Sequence, residues 1–201
     1  MKLYHHPFAP NPRKVRVYIA EKGLPMDYEV VEIGRGENRT PAFLAKNPMG
    51  SVPVLEMDDG GFLTESLAIM EYLEELHPEP PMIGTTPLER ARTHELERLA
   101  DVSVLSRVGR IFVNTNPAFP KEEQSAESAA QARAGLPNAQ RIINDRNGEN
   151  EFVAGGRPTN ADCTLFAALE LGKVAGVTVG DEYPHLRRWH ASFSRRPSAR
   201  A

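Results

Sequence analysis

Residues 77–82 read His-Pro-Glu-Pro-Pro-Met. Each proline fixes its own φ and removes an amide donor, so neither a helix nor a sheet ladder runs through such a segment. The texture of the chain changes across it. Strand and helix signals alternate before it, whereas after it helical periodicities follow one another and no convincing strand is found. The expectation is therefore an α/β unit over residues 1–78, a linker over 79–86 and an all-helical unit over 87–201. A chain of 201 residues is long enough for two small domains that each bury a core.

Within the first unit, Lys2 to His5 reads as a strand. Asn11-Pro12 reads as an N-cap and first-turn pair, with Val15, Tyr18 and Ile19 at helical spacing and Gly23 as the stop. Tyr28 to Ile33 reads as a second strand. Val52 to Glu56 and Gly61 to Leu63, separated by Met57-Asp58-Asp59-Gly60, form the clearest hairpin. Ile69, Tyr72, Leu73 and Leu76 then mark a helix that ends near Pro78. Beyond the linker, Thr86-Pro87-Leu88-Glu89 combines an N-cap, a first-turn proline and a capping-box glutamate, and Leu96, Leu99, Leu105, Val108 and Phe112 extend that helix. Gly135 and Pro137 interrupt the repeat of Ala129, Ala132, Leu136, Ala139 and Ile143, which predicts a break there.

Composition removes several function classes. A formal net charge of −3 with charges of both signs lacks a nucleic-acid signature. No stretch is apolar enough to be a signal peptide or to span a bilayer, so a cytoplasmic protein is expected. The single cysteine, Cys163, forms no internal disulfide or CxxC pair and falls on an apolar helix, where an inert thiol is expected. The six histidines are scattered without metal-ligand spacing, so no metal is expected. Gly34-Arg35-Gly36 lacks the third glycine of a dinucleotide site.

Three stretches carry a resemblance. Gly50-Ser51-Val52-Pro53-Val54-Leu55, followed by Leu63-Thr64-Glu65-Ser66-Leu67-Ala68-Ile69 and Tyr72-Leu73, resembles the glutathione-site motif of the cytosolic glutathione S-transferases. Asn11-Pro12-Arg13-Lys14-Val15-Arg16 and Phe152-Val153-Ala154-Gly155-Gly156-Arg157-Pro158-Thr159-Asn160-Ala161-Asp162 agree with it in order and distance. The resemblance spans nearly the whole chain and is nearest to bacterial theta- or nu-like members. It implies a thioredoxin-like α/β N-terminal domain and an all-α C-terminal domain. It implies a cis Pro53 that turns the backbone of Val52 toward the cysteinyl unit of glutathione, Ser66 on the γ-glutamyl carboxylate and Glu65 on the γ-glutamyl ammonium. Asn38 and Arg39 fall where the family often places groups for the glycyl carboxylate. Thr159 and Asp162 correspond to an internal capping box with a folding role.

The chain departs from the pattern at Ala9, where many theta- or zeta-like members have the serine that activates the thiol. Asn11 matches an asparagine of nu-like members and is the candidate thiolate-stabilising residue, a role compatible with capping. Ser103, Arg107, Arg110 and Ile111 on the long helix are candidates for the second substrate's wall. The resemblance implies a glutathione transferase that takes glutathione as co-substrate, attacks small electrophiles, serves detoxification and forms a homodimer. Glutathione-dependent disulfide reduction and a non-catalytic binding module are the alternatives.

Overall fold

The computed structural model describes residues 1–201. β1 (Lys2–His5) lies parallel to β2 (Asp27–Val30), with Lys2 opposite Asp27 and His5 opposite Val30. The connection between them is α1 (Pro10–Lys22), as a parallel pair requires a crossover. On its other side β1 pairs antiparallel with β3 (Val54–Glu56), which forms a hairpin with β4 (Phe62–Thr64), giving the strand order β2-β1-β3-β4. A short α2 (Pro41–Leu44) starts at Thr40, whose hydroxyl accepts from the Phe43 N–H, and α3 (Ser66–Leu76) follows β4 directly. This mixed sheet with its helices is the thioredoxin-like arrangement expected.

The rest is helical: α4 (Pro87–Arg98), α5 (Ser106–Thr115), α6 (Ala126–Ala134), α7 (Leu136–Asn147), α8 (Asn160–Val174) and α9 (Pro184–Phe193). Only an isolated bridge between Phe152 and Gly155 has β character. One hydrophobic core runs through both parts, because Val15, Tyr18, Ile69 and Leu73 pack in the same cluster as Leu96, Val108, Phe166 and Trp189. A smaller cluster on the opposite face of the sheet joins Tyr4, Val31, Phe43, Val52 and Val54, with Ala9 against it.

Four local readings change. α1 begins at Pro10 with Ala9 as N-cap, so Asn11 is the second residue of the first turn rather than the cap. β2 stops at Val30, and Ile33 belongs to a following 3₁₀ turn. Thr86 does cap α4, but Glu89 turns back to the N–H and hydroxyl of Thr85, each at 2.9 Å. Between α4 and α5 the helix continues as a π-helical segment, Leu99–Leu105. The break expected at Gly135 separates α6 from α7.

Candidate active site

The β3–β4 hairpin builds the centre of the site. Val54 is paired with Thr64, so Val52-Pro53 enters β3 at the same end of the hairpin at which Glu65 and Ser66 leave β4. The Val52-Pro53 bond is cis, and neither the N–H nor the C=O of Val52 has a partner within the chain. Gly50, just upstream, has φ +62°, and a Cβ there would come within 2.8 Å of Asn38 O and Arg39 Nη1. Glycine is therefore required for this turn.

At that end of the hairpin, Glu65 is the one non-glycine residue with positive φ, at 69°. Such a conformation costs free energy for a side chain with a Cβ and persists where the surroundings over-determine it, characteristically at ligand sites. It leaves the Glu65 carboxylate exposed and without a hydrogen-bond or ionic partner, immediately before the first turn of α3. The N–H groups of Ser66, Leu67 and Ala68 have no backbone acceptor. A free carboxylate beside helix N–H groups that have no backbone acceptor matches a ligand that carries an ammonium and a carboxylate on one carbon.

Sequence reasoning did not find the residue behind Ser66. The Lys14 ammonium reaches from α1 to Ser66 Oγ at 3.4 Å and to Asp101 Oδ1 at 2.5 Å, and its side chain is 2% exposed against 22% for Asp101. Asp101 lies in the π-helical segment, and its other oxygen accepts from Arg98 at 2.9 Å. Glu97, one turn earlier and buried, accepts from Thr164 at 3.0 Å, and burial pushes its carboxyl above the usual range. The only sequence signal was a lysine on the buried face of an amphipathic helix.

At the start of α1, Pro10 and Pro12 have no N–H. The Ala9 N–H donates to His6 O and the Arg13 N–H to Ala9 O, each at 3.2 Å. Asn11 is thus the residue in this turn whose backbone N–H is free, and its side chain is exposed with no partner. Asn11 and Lys14 are three residues apart, hence on one face of α1, and Ala9 packs against the cluster that contains Val52. Tyr4 is enclosed, and its hydroxyl donates to Glu56 at 2.6 Å, which excludes it from the chemistry.

The peripheral candidates divide. Asn38 is 7% exposed and donates to Gly50 O at 2.7 Å, so it braces the turn rather than reaching outward. Arg39 is exposed and donates one bond, to Met49 O at 3.2 Å. Ile111 is fully enclosed in the core and cannot form an open wall. Arg107 folds back onto Ser103 O at 2.8 Å and lies against Gly135, so both belong to the packing of the helical part, whereas Arg110 is exposed. Cys163 is enclosed, and burial raises its thiol pKa well above the ordinary value, which removes it as a nucleophile. Asp162 accepts from Thr159 N and Oγ1, Val153 N and Trp189 Nε1 at 2.8–2.9 Å, while burial pushes its carboxyl upward.

The fold is that of a two-part protein in which a thioredoxin-like sheet and its helices are followed by a helical bundle. The sequence profile for the glutathione S-transferase N-terminal domain matches residues 3–81, and that for the C-terminal domain matches residues 109–197. The chain is 34% identical to glutathione S-transferase 2 of Saccharomyces cerevisiae over 205 aligned residues, covering 100% of this chain and 88% of that protein. It is 32% identical to a maleylacetoacetate isomerase of Pseudomonas aeruginosa, covering 94% of this chain and 88% of that one. A crystal structure of a glutathione S-transferase domain-containing protein from Marinobacter aquaeolei superposes with a TM-score of 0.92 at 35% identity, covering 98% and 99% of the two chains. The protein belongs to the glutathione S-transferase family.

Proposed function

We propose that the protein is a glutathione transferase whose thiolate attacks small electrophiles in the cleft between its two parts. The observation that carries this reading is the placement of the unpaired Val52 backbone at the same end of the β3–β4 hairpin as Glu65 and Ser66. The cysteinyl backbone of glutathione would pair with Val52 like a short added strand. The γ-glutamyl carboxylate would lie on the α3 N-terminus and Ser66, its ammonium against Glu65, and the glycyl carboxylate near Arg39. The sulfur then falls at the start of α1, where Asn11 offers a backbone and a side-chain donor. With a chlorinated nitroarene, a C–S bond forms, the C–Cl bond breaks, chloride leaves, and the thiol proton passes to solvent.

Ala9 has no hydroxyl and Cys163 is enclosed, so a disulfide substrate would also be reduced without a protein sulfur. One glutathione thiolate displaces one substrate thiolate to give a mixed disulfide, and a second glutathione releases the other thiolate with formation of glutathione disulfide. Cytoplasmic location, a role in detoxification and a homodimeric state belong to the same proposal, the last tested by sedimentation.

Calorimetry with glutathione tests the site. Ser66→Ala and Glu65→Ala should each weaken binding by about 1–3 kcal/mol. Unchanged affinity in both variants would refute the assignment. Turnover with a chlorinated nitroarene, a small disulfide and maleylacetoacetate, side by side, distinguishes the reactions.

A further inference from the structure

We propose that Lys14 is a positioning residue for the γ-glutamyl anchor, setting the Ser66 hydroxyl as a donor and supplying positive charge behind it. The proposal rests on the glutathione reading of Glu65 and Ser66 given above. A serine hydroxyl has one donor and two acceptor sites, and its proton rotates to suit its neighbours. A lysine ammonium can only donate. With Lys14 Nζ 3.4 Å from Ser66 Oγ, the side of the oxygen facing Lys14 is an acceptor, and the proton is directed elsewhere. At that distance, the long end of hydrogen bonding, the field of the ammonium matters as much as the bond itself.

Asp101 does not serve Lys14 alone. Asp101 is shared with Arg98, which holds its second oxygen at 2.9 Å. Glu97 Oε2, buried without a hydrogen-bond partner, lies 3.6 Å from Arg98 Nη1, so Arg98 is itself divided between two carboxyl groups. Of the three ammonium donors, one is used on Asp101 and one on Ser66, and the third has no acceptor in the chain. A cation held almost out of solvent, with a donor to give and a serine between it and helix N–H groups that have no backbone acceptor, is suited to an incoming carboxylate. Asp101 fixes Lys14 from the helical part, so the γ-glutamyl pocket depends on both parts of the chain.

The test compares glutathione with 4-aminobutanoyl-cysteinyl-glycine, which lacks the γ-glutamyl α-carboxylate alone and keeps the ammonium, and with butanoyl-cysteinyl-glycine, which lacks both. Affinities are measured by calorimetry on the parent and on Lys14→Met, Lys14→Gln and Lys14→Arg. The parent should prefer glutathione over both analogues. Lys14→Met should lower glutathione affinity by about tenfold or more and leave the carboxylate-free analogue within about twofold, so that the preference collapses. Lys14→Gln should lose most of the preference and Lys14→Arg should keep it. A purely structural Lys14 would instead weaken all three ligands alike, and a folded uncharged variant with the parental preference overturns the proposal. If neither uncharged variant folds, Ser66→Ala decides, because Lys14 acts through Ser66 and a retained preference there also overturns it. A parent with no preference at all would sink the glutathione assignment itself, which separates the two failures.

Discussion

The carboxylate of Glu74 on α3 meets the ammonium of Lys22 on α1 at 2.7 Å, with the two side chains 4% and 0% exposed. Glu74 also accepts from the Tyr18 hydroxyl and from the N–H groups of Met82 and Ile83, and Lys22 donates to the carbonyls of His77 and Pro80. The two residues therefore tie the ends of both helices to the proline-rich segment. That segment cannot form its own ladder, and here its backbone groups find side-chain partners instead.

Glu74→Ala should be among the most destabilising single changes in the chain. It leaves Lys22, the Tyr18 hydroxyl and two backbone donors without their acceptor, and the loss of one partner from a buried pair costs about 3–5 kcal/mol. Urea unfolding would register this as a lower midpoint. A loss below about 1 kcal/mol would show that the segment is held by packing alone.

How much of this was legible depends on sequence separation. Thr159 and Asp162 lie three residues apart, so their capping role could be read directly, whereas the bond from Trp189 to Asp162 crosses 27 residues and could not. Lys14 and Asp101 are 87 residues apart, and nothing local in either segment names the other. The cis Val52-Pro53 bond was legible only through the resemblance to the glutathione-site motif, because residue type alone favours a trans bond. The start of α1 was misplaced because Asn11 is the better capping residue by type, yet Pro10 already takes the helical φ and the Ala9 carbonyl receives the first helical bond. Ile111 was misassigned because it lies at α-helical spacing from Val104 and Val108 and shares their buried face rather than the face of Arg110.

Asp162→Ala should cost about 3 kcal/mol or more, since four donors, among them the buried indole of Trp189, lose one acceptor. Glutathione affinity in the folded fraction should be unaffected, and Cys163→Ala should retain turnover. Denaturation followed by tryptophan fluorescence and calorimetry on the same sample would check both. Loss of activity in a folded Cys163→Ala protein would point to a protein nucleophile.

His5 should make the fold acid-sensitive. Burial, with the positive charge of Arg16 and then His6, lowers its pKa from 6.5 to about 4, and its Nδ1 has no partner. Between those values the unfolded chain binds a proton that the folded chain refuses, so this contribution is complete above pH 6.5 and is lost as pH falls toward 4. The loss from pH 7 to pH 5 should be about 1–2 kcal/mol after allowing for solvent screening. His5→Phe, which keeps an aromatic ring beside Tyr28, should flatten the pH dependence relative to the parent. Identical slopes for the two proteins would place the acid sensitivity elsewhere.

The proposed activation of the thiol at Asn11 has a direct test. The prolines on either side remove two amide donors and the helix occupies those of Ala9 and Arg13, so a thiolate at this end of α1 has the Asn11 N–H and the Asn11 amide group to receive it. Asn11→Ala removes the second donor only. Because a hydrogen bond to a charged group contributes about 1.5–3 kcal/mol, it should raise the pKa of bound glutathione by about one to two units and lower turnover at neutral pH about tenfold or more. Asn11→Asp keeps a side chain of the same size but sets a negative charge beside the sulfur, which should raise that pKa further. Asn11→Pro removes both donors at a helix position where proline is tolerated, and should exceed the effect of alanine if the backbone N–H contributes. The ultraviolet absorbance of the bound thiolate against pH gives the pKa directly. Since the side chain has no partner in the chain, none of the three changes removes an internal contact, and altered stability is not expected to mask the result. If the thiol pKa is the same in all three variants as in the parent, the sulfur lies away from this helix terminus and its activating donor must come from the helical part of the chain.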